Sequence, residues 1–203
     1  MQQTNNIATL LQKSTHLLTK SSTPRLDAEV LLASALKTNR TWLYANSDSI
    51  VSPEETAAYL VKVKERGKGV PVPYITGCCE FWSLPLTITP DVLIPRPETE
   101  LLVAMTIDII KHSSSRPSIA DLGTGSGAVA LAVASETDQA MIAATDLSLS
   151  ALRVAKRNLH QLDFKNITVL AGSWLKPFGR KSLDIIVANP PYIGFGESHL
   201  TDA

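Results

Sequence analysis

The spacing of apolar residues changes part-way along this chain. Over residues 7–18, Ile7, Leu10, Leu11, Leu17 and Leu18 recur at roughly helical intervals. A second helix is expected after Pro24, with Leu26, Val30, Leu31 and Ala35 along one face, and Trp42-Leu43-Tyr44 suggests a short third. Ser52-Pro53-Glu54-Glu55 combines an N-cap, a proline at the first helical position and a glutamate three residues after the cap. The fourth helix should therefore start there and run to about Arg66, where Gly67 and Gly69 stop it. Lys62, Lys64, Arg66 and Lys68 gather at its end, and we read them as cations complementing the helix dipole rather than as a nucleic-acid patch. Residues 1–72 are thus expected to form a small α-helical domain.

Strand propensity follows. Residues 73–97 read as a linker carrying a β-hairpin, with strands over 79–83 and 86–89 broken at Leu84-Pro85. Ile94-Pro95-Arg96-Pro97-Glu98-Thr99-Glu100 is a stiff double-proline loop that caps a helix running to Lys111. From Ser118 strands and helices alternate: strands over 119–122, 140–144, 167–170 and 183–188, with helices over 126–135 and 148–162. The last strand, Leu183-Asp184-Ile185-Ile186-Val187-Ala188, is apolar and β-branched, the pattern of a strand buried on both faces. Such alternation predicts an α/β, Rossmann-like domain over 98–203, built on a parallel sheet with right-handed crossovers.

Composition narrows the classes. An apolar fraction of 44% and a mean hydropathy near zero describe a globular protein, not a disordered one. Nineteen basic residues balance nineteen acidic ones, so no global field draws the chain to nucleic acid or an anionic membrane, and neither is expected as a direct partner. There is no apolar signal core at the start and no run long enough to span a bilayer, so a cytoplasmic protein is expected. Cys78 and Cys79 are adjacent, with no metal or disulfide spacing, and read as packing residues. His16, His112, His160 and His199 show no ligand-like spacing either, so no metal is expected.

Chemistry concentrates at two places. Asn189-Pro190-Pro191-Tyr192 follows the last apolar strand and so sits at a strand's carboxyl end, where open α/β sheets bind ligands. The asparagine amide offers an acceptor and a donor, the prolines fix the backbone, and the tyrosine ring can stack on a planar group. Together they make a clamp for a planar NH2 group. The second place is Asp121-Leu122-Gly123-Thr124-Gly125-Ser126-Gly127, between the first parallel strand and its helix. Alternate glycines bring bare backbone against a ligand, where N–H groups of the helix start point outward. The spacing is G-x-G-x-G, not the G-x-G-x-x-G of a pyrophosphate cradle. Asp146 ends the second strand, where a carboxylate can accept both hydroxyls of a ribose. A ligand with a ribose and no pyrophosphate fits, and S-adenosylmethionine is the cofactor these features predict. In a doubly wound sheet the first and fourth strands lie side by side, so the glycine loop and the clamp should face one crevice.

These stretches, together with Glu80-Phe81-Trp82-Ser83-Leu84-Pro85-Leu86, Leu93-Ile94-Pro95-Arg96-Pro97-Glu98-Thr99-Glu100 and the helical front bearing Arg25-Leu26-Asp27-Ala28-Glu29, resemble the HemK family of methyltransferases over nearly the whole chain. That family modifies a glutamine side-chain amide in peptide chain release factors. The resemblance implies cofactor contacts from Gly123, Thr124, Gly125, Ser126 and Gly127, ribose contacts from Asp146, and an adenine-side contact from Trp174. It implies substrate contacts from Asn189, Pro190, Pro191 and Tyr192, with Asn189, Pro190 and Tyr192 the catalytic set and Asn189 also near the cofactor. The implied substrate is the Gly-Gly-Gln loop of release factors 1 and 2, read partly by the helical domain, and the implied reaction is in-line displacement on the sulfonium methyl. Members of the family usually carry an acidic residue where this chain has Ser173, so cofactor affinity is expected to suffer. They also continue well beyond Tyr192. The chain is accordingly expected to be a fragment with an incomplete sheet, weakly active or inactive alone, and a monomer if complete.

Two other readings use the same residues. A DNA adenine amino-methyltransferase would share the Asn-Pro-Pro-Tyr clamp but would need a basic face and a target-reading domain. A catalytically inactive fragment that only binds a release factor or S-adenosylmethionine would share both loops. A nicotinamide dehydrogenase is a distant further reading, because the glycine spacing is wrong for it.

Overall fold

The computed structural model describes residues 5–113 and 115–190, which fall into two compact units divided between Gly77 and Cys78. In the first unit the expected helices form, as α1 (Ile7–Leu17), α2 (Pro24–Ala35), α3 (Arg40–Ala45) and α4 (Pro53–Gly67). Asn6, Asn39 and Ser52 cap α1, α3 and α4 through side-chain oxygens, and Ser52 with Glu55 completes a capping box. Ile7, Leu10, Leu31, Leu32, Leu43 and Tyr59 close the core between the helices. The stretch read as the start of a linker instead forms a short helix, α5 (Val72–Thr76), ended by Gly77 in the left-handed region at φ 77°.

Three of the four cations at the end of α4 make structural contacts. Arg66 Nε donates to Asp27 Oδ2 at 2.6 Å, Lys68 Nζ to Glu65 Oε1 at 2.7 Å and Lys62 Nζ to the Ile75 carbonyl at 3.3 Å. Glu29, 2% exposed, accepts from Arg25 Nε at 2.6 Å and from Arg40 Nη2 at 2.8 Å. Burial alone would raise its pKa, but hydrogen bonds from Tyr44, Arg40 and Arg25 outweigh burial and hold the carboxyl below its usual value.

The second unit opens with a hairpin, β1 (Cys78–Phe81) and β2 (Leu84–Thr87). The expected break at Leu84-Pro85 is corrected: the turn is Trp82-Ser83, and Pro85 lies inside β2 opposite Glu80. Trp82 at φ 51° and Ser83 at φ 60° have the left-handed backbone of a two-residue hairpin turn. A tryptophan there costs roughly 1 kcal/mol or more. It is held by its N–H to Glu100 Oε1 at 3.2 Å and its indole N–H to Glu136 Oε1 at 2.7 Å. Cys78 is exposed, not packed as expected, while Cys79 is half-buried.

A short 3-10 turn (Pro97–Thr99) leads into α6 (Glu100–Lys111), and the alternating elements follow: β3 (Ser118–Leu122), α7 (Ala128–Glu136), β4 (Met141–Asp146), α8 (Leu149–Leu162), β5 (Ile167–Ala171) and β6 (Ile185–Ala188). The sheet is parallel, in the order β5-β4-β3-β6, so the first and fourth of these strands are neighbours as expected. Every residue of α7 from Ala128 to Ala134 is buried, and its alanines let the helix approach the sheet closely. The strand read as buried on both faces is half-covered: Val187 is buried, but Ile186 is 52% exposed. Among the described residues β6 pairs only with β3, so an edge strand inherits an interior strand's sequence.

Candidate functional site

Register puts three loops level at the carboxyl edge of the sheet. Leu122 pairs with both Thr145 and Ala188, so the glycine loop, Asp146 and Asn189 all begin at the same height. The glycine loop is tied sideways to the end of β4. The Gly123 and Thr124 N–H groups both donate to the Thr145 carbonyl, at 2.9 and 2.8 Å, and the Gly125 N–H donates to Asp146 Oδ2 at 2.9 Å. The outward-pointing N–H groups expected of this loop are therefore mostly engaged within the protein. A phosphate would find those donors taken, which agrees with the spacing argument against a pyrophosphate. Asp146 also accepts the Ser148 N–H at 2.9 Å, so its carboxylate is held by backbone on two sides.

What the loop offers is bare backbone. Gly123 at φ 73° and Gly125 at φ 55° have no atom within 4 Å of where a Cβ would project. Gly127, at φ 84°, is different: a Cβ there would lie 3.2 Å from Leu131 Cδ1 and 3.4 Å from Ala155 Cβ, so this glycine serves close packing against α7 and α8. Thr124 and Ser126 are buried, at 7% and 2% exposure. The Thr124 hydroxyl donates to Asp121 Oδ2 at 2.5 Å, and the same oxygen accepts the Ala130 N–H at 3.3 Å.

Asp121 lies beneath the loop. Burial pushes its carboxyl up to about 6; the bonds from Thr124 and Ala130 pull the other way, and the Asp146 carboxylate adds to the rise.

A cleft of about 80 Å3 opens here, lined by Leu93, Ile94, Pro95, Arg96 and Thr99, by Asp121, Gly123, Thr124, Gly125 and Ser126, by Ala128 and Val129, and by Asn189. Asn189 Nδ2 donates to Thr99 Oγ1 at 3.0 Å, across 90 residues of sequence. The buried threonine thus turns the donor end of the amide towards itself and sets which end is the acceptor. Two larger shallow grooves, of about 500 and 820 Å3, lie at the amino ends of the strands, the edge that open α/β sheets do not use for ligands.

Residues 9–77 match the family model for the PrmC N-terminal domain, and residues 99–200 match the model for the Methyltransferase small domain. The chain is 47% identical over 188 residues to a release factor glutamine methyltransferase of Coxiella burnetii, covering 92% of this chain and 67% of that one. It is 40% identical over 200 residues to that of Aliivibrio fischeri, covering 97% and 70%. The chain belongs to the release factor glutamine methyltransferase family.

A relative of the same description from Xylella fastidiosa is 41% identical over 177 residues, covering 87% of this chain and 64% of its own. The chain therefore spans about two thirds of the length of the curated relatives it matches. For a member of this family the structure unites the glycine loop with Asn189 in one cleft, as the sequence led us to expect. Asp146 is not among the cleft residues but is bonded to the loop through Gly125. Trp174, 56% exposed and left-handed at φ 50°, stands just beyond β5, where the Gly172 N–H donates to the Asp146 carbonyl at 3.0 Å. Pro190 is half-buried and is not part of the cleft lining; Pro191 and Tyr192 lie outside the described residues.

Sequence reasoning assigned no site role to Asp121, Thr99 or the segment Leu93 to Arg96. Their signal was available: a carboxylate next to the end of a largely apolar strand, and a double-proline loop stiffer than a connector needs.

Proposed function

We propose that this chain binds S-adenosylmethionine at the carboxyl edge of its sheet and transfers the methyl group to a glutamine side-chain amide of a release factor. The observation that carries the reading is Asn189 sharing one cleft with the glycine loop, in a chain whose relatives are named release factor glutamine methyltransferase.

The residues suit such a ligand. Bare backbone at Gly123 and Gly125 leaves room for a close approach, and Asp146 stands ready for a ribose at the end of β4. The cleft is small, about 80 Å3, which favours the reacting end of the ligand there and the nucleoside towards Asp146 and Trp174. Trp174, exposed on the far side of Asp146, supplies a face for an adenine, with Ser173 beside it as a weak acceptor.

The bound sulfonium supplies an electrophilic methyl group. The chain's part is positioning: Asn189, oriented by Thr99, accepts a hydrogen from the substrate amide and holds its nitrogen in line with the methyl. An amide nitrogen is a poor nucleophile, so this alignment and the polar surroundings carry the catalytic burden. Pro190, Pro191 and Tyr192 complete the clamp in this reading. The protein substrate is the Gly-Gly-Gln loop of release factors 1 and 2, met in the cytoplasm. Among the described residues no helix is long and apolar enough to cross a membrane, which is compatible with that setting. Transfer to a DNA adenine is not favoured by the relatives or by the neutral charge.

The test is calorimetric titration of the chain with S-adenosylmethionine, followed by methyl transfer from labelled cofactor to purified release factors. Saturable binding that is lost in Asp146→Ala supports the site. A folded chain that binds no cofactor sinks it, and binding without transfer to any release factor sinks the substrate assignment alone.

A further inference from the structure

Asn158 is the polar exception on the buried face of α8. It is 0% exposed, among Ala151, Leu152, Val154 and Ala155 of the same helix. A buried amide is costly unless its hydrogen-bonding capacity is met, so a residue serving only helix–sheet packing would be apolar. Asn158 meets that capacity with two segments far apart in sequence. Its Oδ1 accepts the Thr87 N–H at 2.7 Å, and its Nδ2 donates to the Thr87 carbonyl at 3.0 Å and to the Ser126 carbonyl at 2.9 Å.

Towards the hairpin, the side chain imitates a strand. It exchanges both bonds with Thr87, the last residue of β2, as a paired residue in a ladder would. Towards the glycine loop, it fixes the carbonyl of the residue between Gly125 and Gly127, both in the left-handed region. Ala155, one turn earlier on the same helix face, packs against Gly127. Helix α8 therefore supports the loop from beneath twice, by contact at Ala155 and by a directed bond at Asn158. Moving the Ser126 carbonyl would move its neighbour Gly125, whose N–H holds Asp146.

We infer that Asn158 is a positioning residue that couples the β1–β2 hairpin to the cofactor loop. The inference rests on the S-adenosylmethionine reading above. Coupling between sites is reciprocal. What Asn158 contributes to cofactor binding by ordering the loop, the bound cofactor returns as protection of the Thr87 N–H.

Three chains test this: wild type, Asn158→Asp and Leu152→Ala. Asn158→Asp keeps an oxygen facing the Thr87 N–H and removes the donors to Thr87 and Ser126. Leu152→Ala loosens the same helix at a buried position with no hydrogen bond to either segment. Each is titrated with S-adenosylmethionine at a temperature where circular dichroism shows it folded, and hydrogen exchange at Thr87 is followed with and without cofactor. Asn158→Asp should raise Kd about 10-fold or more, the effect of leaving the Ser126 carbonyl, one of the two acceptors that lose their donor, unpaired beside the loop. Leu152→Ala should change it by less than about 2-fold, because it removes no hydrogen bond to Thr87 or Ser126. Cofactor should slow exchange at Thr87 in wild type and Leu152→Ala and leave it unchanged in Asn158→Asp.

Equal affinity in Asn158→Asp and wild type overturns the coupling, as does wild-type exchange at Thr87 that ignores the cofactor. A folded wild-type chain that binds no cofactor overturns the cofactor reading and the coupling together. Asn158→Ser, smaller and uncharged, replaces Asn158→Asp if that variant does not fold, with the same outcomes.

Discussion

Replacing Asp121 by asparagine removes a carboxyl that burial holds at about 6, against about 3.8 for an ordinary aspartate. The folded protein then binds this proton more tightly than the unfolded chain does. The stability Asp121 allows is full below pH 3.8 and is lost as pH rises to about 6, after which it is level. A difference of about two pKa units corresponds to about 3 kcal/mol in total, of which about 2–3 kcal/mol falls between pH 4 and pH 7. Asparagine can keep the acceptor for the Thr124 hydroxyl and the Ala130 N–H, since both bonds go to one oxygen. Its NH2 group needs an acceptor of its own, which adds a pH-independent cost of about 1–3 kcal/mol if none is found. The clean quantity is therefore the change with pH. Denaturant unfolding of wild type and Asp121→Asn, at half-unit steps from pH 4 to pH 7, should show the variant gaining about 2–3 kcal/mol on wild type across that range. A stability difference constant from pH 4 to pH 7 would refute the assignment of a protonated, desolvated Asp121. The ligand supplies a second readout. A cation bound in this cleft favours the ionised carboxylate, so the affinity of wild type for S-adenosylmethionine should weaken as pH falls below 6, and that of the variant should not.

Three further outcomes follow from named contacts. Gly127→Ala places a Cβ 3.2 Å from Leu131 at a φ of 84°, and should cost about 1–3 kcal/mol in thermal or denaturant unfolding while weakening cofactor binding. Glu29→Ala removes the shared acceptor of Arg25 and Arg40, whose side chains are about half exposed, and should cost about 1–2 kcal/mol in the helical unit. Because the Glu29 carboxyl is held below its usual value, its contribution is present above the unfolded pKa and is lost as pH falls through the folded one, so wild type and variant should converge in acid unfolding curves. Thr99→Val removes one hydrogen bond from Asn189 without changing shape, and should slow methyl transfer about 10-fold with unchanged affinity for S-adenosylmethionine; Thr99→Ser should restore it.

Sequence by itself determined the order of elements, the parallel sheet and the glycine loop, because each rests on local signals. Periodicity separates helices from strands, caps such as Ser52 and Asn39 mark starts, and alternating glycines mark a loop that must use left-handed backbone. It also placed Asp146 and Asn189 at strand ends, since a strand's last residue is readable from where its apolar run stops. It misjudged the hairpin turn and the start of the linker. Pro85 looked like a breaker but is tolerated on a two-stranded edge, and the left-handed Trp82 depends on Glu100 and Glu136, 18 and 54 residues away. It also read β6 as buried on both faces, whereas among the described residues one face is half-covered, because a strand's own residues do not say what covers it. Only tertiary structure decided that Thr99 orients Asn189, that Asp121 is desolvated beneath the loop, and that Asn158 joins Thr87 to Ser126. Each depends on groups brought within 3 Å or so by strand register and helix packing, and hydrogen bonds and desolvation act over such distances with no trace in local periodicity.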